Sequence, residues 1–286
     1  MRKNSLLKSI RGKITFFTAA LTITLTVLAV TICFYAFHSY QKKMMIRSSE
    51  FNLQSIADNT SADLNNILSF VKWCCSSSDV AEYMDTIHGQ GTLGQISSKN
   101  PRVAQMAFDT YDRIWEEYTL HNQSNYIRRL ILSSDNPLAY MQMFYSSVPD
   151  RADAASLIAS QDFFIPLYEA SSFQWDGLVQ NPFNRISDEF IIPVVRPIYS
   201  SESSQTTGWL YVEISPELIT SRLKAYPLES DSLLYLTIGE KNYLCDKGTL
   251  TESPFEYQQV SDLKGSTIST SSKAMEAILS GLGKRT

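Results

Sequence analysis

Hydrophobic and polar positions follow different rhythms along successive parts of this chain. From Ile14 to Phe37 there is no alternation: 24 residues, ITFFTAALTITLTVLAVTICFYAF, run without a charge. As a helix this run is about 36 Å long, which predicts one membrane crossing with some tilt. Its threonines are compatible with that, because a Thr hydroxyl can bond the carbonyl one turn back. Beyond it, Leu53, Ala57, Leu64, Ile67 and Val71 recur at spacings of four and three, with Thr60 filling the gap. That stripe predicts a helix continuing from the membrane as a stalk, pairing with a second copy or packing on its own domain. A further helix is marked by Asn100 as cap, Pro101 in its first turn, and Val103, Met106, Ala107, Ile114 and Tyr118 at helical spacing.

After Asn125 the period shortens to that of strands. Tyr126–Leu132 and Leu138–Tyr145 read as a strand pair around Ser-Ser-Asp-Asn-Pro, followed by helical pieces over 150–159 and 161–170. Phe190–Tyr199 and Gly208–Ile214 form the clearest hairpin, with Pro193 and Pro197 suggesting an edge or a bulge. Ser215-Pro216-Glu217 starts a helix, and Leu233–Ile238 with Tyr243–Asp246 forms another hairpin. Hairpin-joined strands with flanking helices predict an α+β fold on an antiparallel sheet.

Charge adds an orientation. Residues 1–47 hold eight of the 25 basic residues and none of the 29 acidic ones, which leaves the remainder at −12. Five basic residues precede the apolar run and three follow it closely, so the N-terminus is expected in the cytoplasm and the bulk outside. A surface that acidic repels phosphate backbones and speaks against nucleic-acid binding. The apolar run is long for a signal peptide and lacks a small-x-small site after it, so it reads as an uncleaved anchor. Four cysteines are too few for a disulfide scaffold, and no metal, cofactor or catalytic pattern involves His38, His88 or His121. The GxGxxG match at 89–94 lacks the strand–helix context of a nucleotide loop and reads as a connection.

The basic leader with Ser9-Ile10-Arg11-Gly12-Lys13, the span and stalk, Arg196-Pro197-Ile198, Gly208–Ile214 and the Ser-Pro-capped helix together resemble a known arrangement. It is that of the double-Cache ectodomain of Gram-positive sensor histidine kinases, especially the YesM-like group, over about residues 1–250. The resemblance implies a basic leader (1–13), a transmembrane helix (14–37), a stalk (38–75), a membrane-distal PAS/Cache-like sensing domain (76–222) and a partial proximal unit with an incomplete second sheet (223–286). It implies a small extracellular ligand, a likeness to the sensory half of a receptor cut short before its kinase, and no enzyme activity in this chain. A homodimer through the stalk helix is expected. The amino-acid-binding branch places Tyr, Arg and an aromatic pair at offsets that fall here on Tyr168, Phe173, Trp175 and Asp176. Phe173 for arginine removes a charge-assisted carboxylate contact, so a sugar or a cation is the expected ligand, held by Tyr168, Trp175 and Asp176. Arg196 and Tyr145 are further candidates on strands of the same sheet. A chemoreceptor ectodomain and a stand-alone anchored binding protein are the alternatives; an anchored hydrolase would need a nucleophile–base pair that three scattered histidines do not supply.

Overall fold

The structure is a computed structural model that describes residues 10–89, 99–120, 126–143, 153–174, 177–184, 189–224, 233–238, 241–246, 249–252, 267–270 and 281–285. By its contacts the chain divides into two units, Met1–Phe51 and Asn52–Thr286. Helix α1, Ile10–Ser76, supplies the described part of the first. There the apolar side chains point outward; Ile14, Phe17, Ile23, Val30 and Phe34 are all exposed. Among the described residues this is the one helix long and apolar enough to cross a membrane. All six threonines of the run donate their hydroxyls back to helix carbonyls, as Thr22 does to Thr18 at 2.8 Å, so none offers an unmet donor to lipid.

In the second unit, the stripe on α1 is spent inside the chain. Leu53, Ala57, Leu64, Ile67 and Val71 are fully buried, and Thr60 nearly so. Phe70 of the same helix meets Tyr118 of α3 (Pro101–Leu120) with ring centroids 5.9 Å apart. The stripe is thus packed against the chain's own elements. The outward positions Asp58, Asn59, Asn65, Asn66, Ser69 and Lys72 are polar. Helix α2 (Ser78–Ile87) follows α1 after a single residue. At the start of α3, the Arg102 amide donates to Asn100 Oδ1 at 3.1 Å, the anticipated cap.

Strands β1 (Ile127–Ser134), β2 (Tyr140–Met143), β3 (Val179–Gln180), β4 (Phe190–Tyr199) and β5 (Thr206–Ile214) form a sheet in the order β2-β1-β5-β4-β3. All neighbours are antiparallel. β3 meets β4 only at Ile191 and Phe190, so Pro193 and Pro197 fall where β4 has no outer neighbour among the described residues. The tip of the β4–β5 hairpin is tied to α2, since Asp85 accepts from Ser200 Oγ and from the amide and hydroxyl of Ser201.

Helices α4 (Ala154–Ala159) and α5 (Phe164–Glu169) lie over one face of this sheet. Helix α6 (Glu217–Lys224) starts as expected, with Ser215 Oγ accepting from the Glu217 amide, and its Arg222 pairs with Asp63 of α1. Where the sequence suggested one hairpin of an incomplete second sheet, five strands pair: β6 (Leu233–Ile238), β7 (Lys241–Asp246), β8 (Thr249–Glu252), β9 (Thr267–Thr270) and β10 (Gly281–Arg285), in the order β8-β7-β6-β10-β9.

Candidate functional site

Register assigns the two faces of the first sheet. Ile131 lies opposite Tyr211 and Gln142, Arg129 opposite Glu213, and Val195 opposite Tyr211, so these side chains share one face. On that face Ile131, Ile191, Val195, Trp209 and Tyr211 pack with Ala154, Ala155 and Ile158 of α4 and Phe164 and Leu167 of α5. Phe163 stacks on Tyr211 with centroids 6.3 Å apart, and Phe164 meets Trp209 edge-on at 5.1 Å. The other face belongs to Leu130, Leu132, Leu210 and Val212, and at Gly208 it is approached by Met84 of α2.

Within the α4–α5 face lies a polar patch with almost no solvent exposure. The Arg129 and Glu213 side chains are 1% and 0% exposed, with Nε and Oε2 3.4 Å apart. That is close enough to attract but not aligned as a hydrogen bond, and none of the Arg129 nitrogens has a hydrogen-bond partner among the described residues. The guanidinium lies instead over the Phe183 ring, 3.7 Å from its centroid. Tyr211 Oη and both amide atoms of Gln142 are likewise buried without a hydrogen-bond partner. Asn181 joins the patch to the surface: its amide donates to Glu213 Oε1 at 3.4 Å and to Glu189 Oε2 at 3.2 Å, and Glu189 pairs with Arg128. Burial pushes the Glu213 carboxyl up to about 7, against the pull of Arg129 and then Arg128. The Tyr211 phenol is raised well above its ordinary value, again by burial first. Buried polar groups are normally satisfied. Among the described residues, this sheet face under two short helices thus holds several unmet polar atoms.

The residues singled out from the sequence are dispersed. Tyr168 is half-buried at the margin of the α4–α5 core, its ring 5.6 Å from that of Phe164. Burial raises its phenol and a hydrogen bond with Thr206 lowers it, which puts Tyr168 at the opposite end of β5 from Glu213. Arg196 alternates with Val195 and so leaves β4 on the other face. Its Nη1 donates to the Ala170 and Ser172 carbonyls at 2.8 and 3.0 Å, and its guanidinium lies 5.0 Å from the Phe173 ring centroid. Its cation is thus engaged in holding the chain after α5. Tyr145, Trp175 and Asp176 lie outside the described residues. Sequence reasoning passed over Arg129, Gln142, Asn181, Phe183, Tyr211 and Glu213. The available signal was a lone acid in the apolar run Trp-Leu-Tyr-Val-Glu-Ile and an arginine pair opening Ile-Arg-Arg-Leu-Ile-Leu.

The sequence matches no protein-family model and no curated protein significantly. Among solved structures the chain is similar to the ligand-binding domain of the Pseudomonas aeruginosa PAO1 amino acid chemoreceptor PctC in complex with GABA. The TM-score is 0.50 at 11% identity, over 84% of this chain and 98% of that one. It is also similar to the sensor domain of the Vibrio cholerae histidine kinase DctB, with a TM-score of 0.47 at 8% identity over 86% and 98%. The sensory domain of the Campylobacter jejuni chemoreceptor Tlp3 with isoleucine bound gives 0.44 at 11% over 86% and 95%. The likeness to the first is one of fold. The α+β, PAS/Cache-like architecture read from the sequence is the one observed.

Proposed function

We propose that this chain is a membrane-anchored sensor that binds a small extracellular molecule on the α4–α5 face of its first sheet. The observation that carries the reading is the buried set of polar atoms on Arg129, Tyr211 and Gln142, which have no hydrogen-bond partner among the described residues. A guanidinium paired with Glu213 but with no hydrogen bond in place among the described residues, an amide and a phenol favour a ligand that brings an oxyanion, and a carboxylate suits a guanidinium bidentately. The expectation of a sugar or cation rested on Phe173 in place of an arginine and on the aromatic–carboxylate set with Asp176, whereas Arg129 argues for a carboxylate. GABA and isoleucine, which the similar chemoreceptor domains hold, both carry a carboxylate. Tyr168 of α5, and Trp175 and Asp176 from the chain that follows it, remain proposed contributors. The apolar helix supports anchoring, and the basic leader supports a cytoplasmic N-terminus. Output through a histidine kinase or through a chemoreceptor module suits the same ectodomain.

The test is thermal unfolding of the full chain in lipid nanodiscs with 4-aminobutyrate, L-isoleucine, glucose or choline added. A carboxylate probe at 100 times its Kd should add about 2.7 kcal/mol of stability. Arg129→Gln and Gln142→Leu should each remove most of that gain. Stabilisation by glucose or choline alone would refute the carboxylate reading, and equal gains in wild type and both variants would refute the site.

A further inference from the structure

The chain between the polar patch and the second sheet is short, and it is gripped at both ends. At one end the Leu178 amide donates to the Tyr243 hydroxyl of β7 at 2.8 Å, in a buried contact. Leu178 is 6% and Tyr243 3% exposed. Gly177, just before it, has a φ of +81°, and a Cβ there would lie 2.7 Å from the Tyr243 hydroxyl, 3.1 Å from Lys241 Cδ and 3.3 Å from the Ile238 carbonyl. Glycine is therefore required twice over, by the backbone and by the closeness of the second sheet. At the other end Asn181, 1% exposed, bonds Glu213, and Phe183 lies under the Arg129 guanidinium. Between them Val179 pairs with Ile191 and packs on the α4–α5 core. Six residues, Leu178–Phe183, thus join the floor of the proposed site to the second sheet, buried at both ends, with Val179 half-buried and Gln180 exposed between them.

We infer that the hydrogen bond between the Leu178 amide and the Tyr243 hydroxyl, seated by Gly177, couples the Arg129–Glu213 patch to the second sheet. A ligand that repositions Arg129 must also shift Phe183 or leave it without its cation, and Asn181 must follow Glu213. The segment is short and held by buried contacts at both ends, so such a change is passed to Tyr243. In the other direction, a shift of β6 and β7 alters the seat of Asn181 and Phe183. The regulatory role rests on the proposed function, whereas the coupling itself can be measured without any ligand.

The measurement is hydrogen–deuterium exchange on the full chain in lipid nanodiscs, comparing peptides that cover 178–183 with those that cover 241–246. Arg129→Gln perturbs the patch end, and Leu236→Ala perturbs the second sheet from its buried core. Each should accelerate exchange in both peptides of the otherwise wild-type chain. Tyr243→Phe, which keeps the ring, should speed exchange of the Leu178 amide roughly tenfold by leaving it without its acceptor. In that background each perturbation should remain confined to its own end. Gly177→Ala should uncouple the ends in the same way, which guards against a defect peculiar to the phenylalanine. Transmission that is absent in the wild-type background, or undiminished in both variants, would overturn the inference. Carboxylate binding with no response at 241–246 would sink the coupling alone, while coupling without any binding would sink only the ligand reading.

Discussion

Glu213 sits opposite Arg129 with no exposed surface, and its protonation therefore reports on folding. Its carboxyl is raised from 4.5 to about 7, chiefly by loss of hydration. Between those values the folded chain holds a proton that the unfolded chain has released. The sign follows: the stabilisation tied to that proton is complete below about 4.5 and is lost as pH rises through 7. At 1.36 kcal/mol per pKa unit the span is on the order of 3 kcal/mol. Glu213→Gln removes the titration while keeping the shape. In urea unfolding at pH 5, 6 and 7.5, the wild type should lose stability relative to Glu213→Gln at each step. A difference that stays constant with pH would show that Glu213 titrates normally. Arg129 and Glu213 were legible in the sequence as anomalies, charges inside apolar strands, but not as a pair. Their pairing depends on the register between β1 and β5, which are separated by more than seventy residues of chain. The offset of Tyr168 does not separate a ligand contact from a core position: it packs beside Phe164, because an aromatic at helical spacing serves a core equally well.

Periodicity identified the helices and hairpins well, since each follows from local repeats. The stripe on α1, the capped α3 and the β4–β5 hairpin are found close to where they are read. What the stripe packs against was not local information. Leu53 to Val71 has the spacing of a coiled-coil seam, yet the residues are buried against the chain's own elements. Leu64→Ala should therefore cost about 2–5 kcal/mol in urea unfolding at any protein concentration, as a core truncation does. Asn65→Ala, one position along and exposed, should stay within about 0.5 kcal/mol. Concentration-dependent loss in the Leu64 variant would favour the seam between two copies instead. Gly208 gives a second measure of how the helices dock. A Cβ there runs into the Ser133 carbonyl of β1 and the Met84 methyl of α2, and lies 3.0 Å from Ser134 Cα. Gly208→Ala should lower stability by about 1–3 kcal/mol through overpacking, read as a reduced urea midpoint with unchanged slope. An unchanged midpoint would mean that α2 yields at that point. The strands after Thr249 were missed because they are short and polar or glycine-containing, so no alternation announces them.

Orientation across the membrane is a property of the entire chain, and charge is the lever that sets it. The first 47 residues carry only basic charges and the rest carries −12, and five of those eight basic residues precede the apolar run. If the basic leader is retained in the cytoplasm, the β4–β5 tip, with its exposed run Ser201–Gln205, faces the medium. The native cysteines favour a direct test. Cys33 lies in the apolar helix, and Cys74 and Cys245 are buried. Burial pushes the Cys75 thiol up to about 12, opposed by Arg196, and raises Cys74 well above its ordinary value. Neither thiol is appreciably ionised at neutral pH, and the thiolate is what reacts with a maleimide. Ser203→Cys in the otherwise native chain should therefore label strongly with a membrane-impermeant maleimide on intact cells at pH 7, while the native chain stays nearly unlabelled. Labelling of Ser203→Cys only after lysis would place the domain inside, and with it any ligand that the buried Arg129 patch receives.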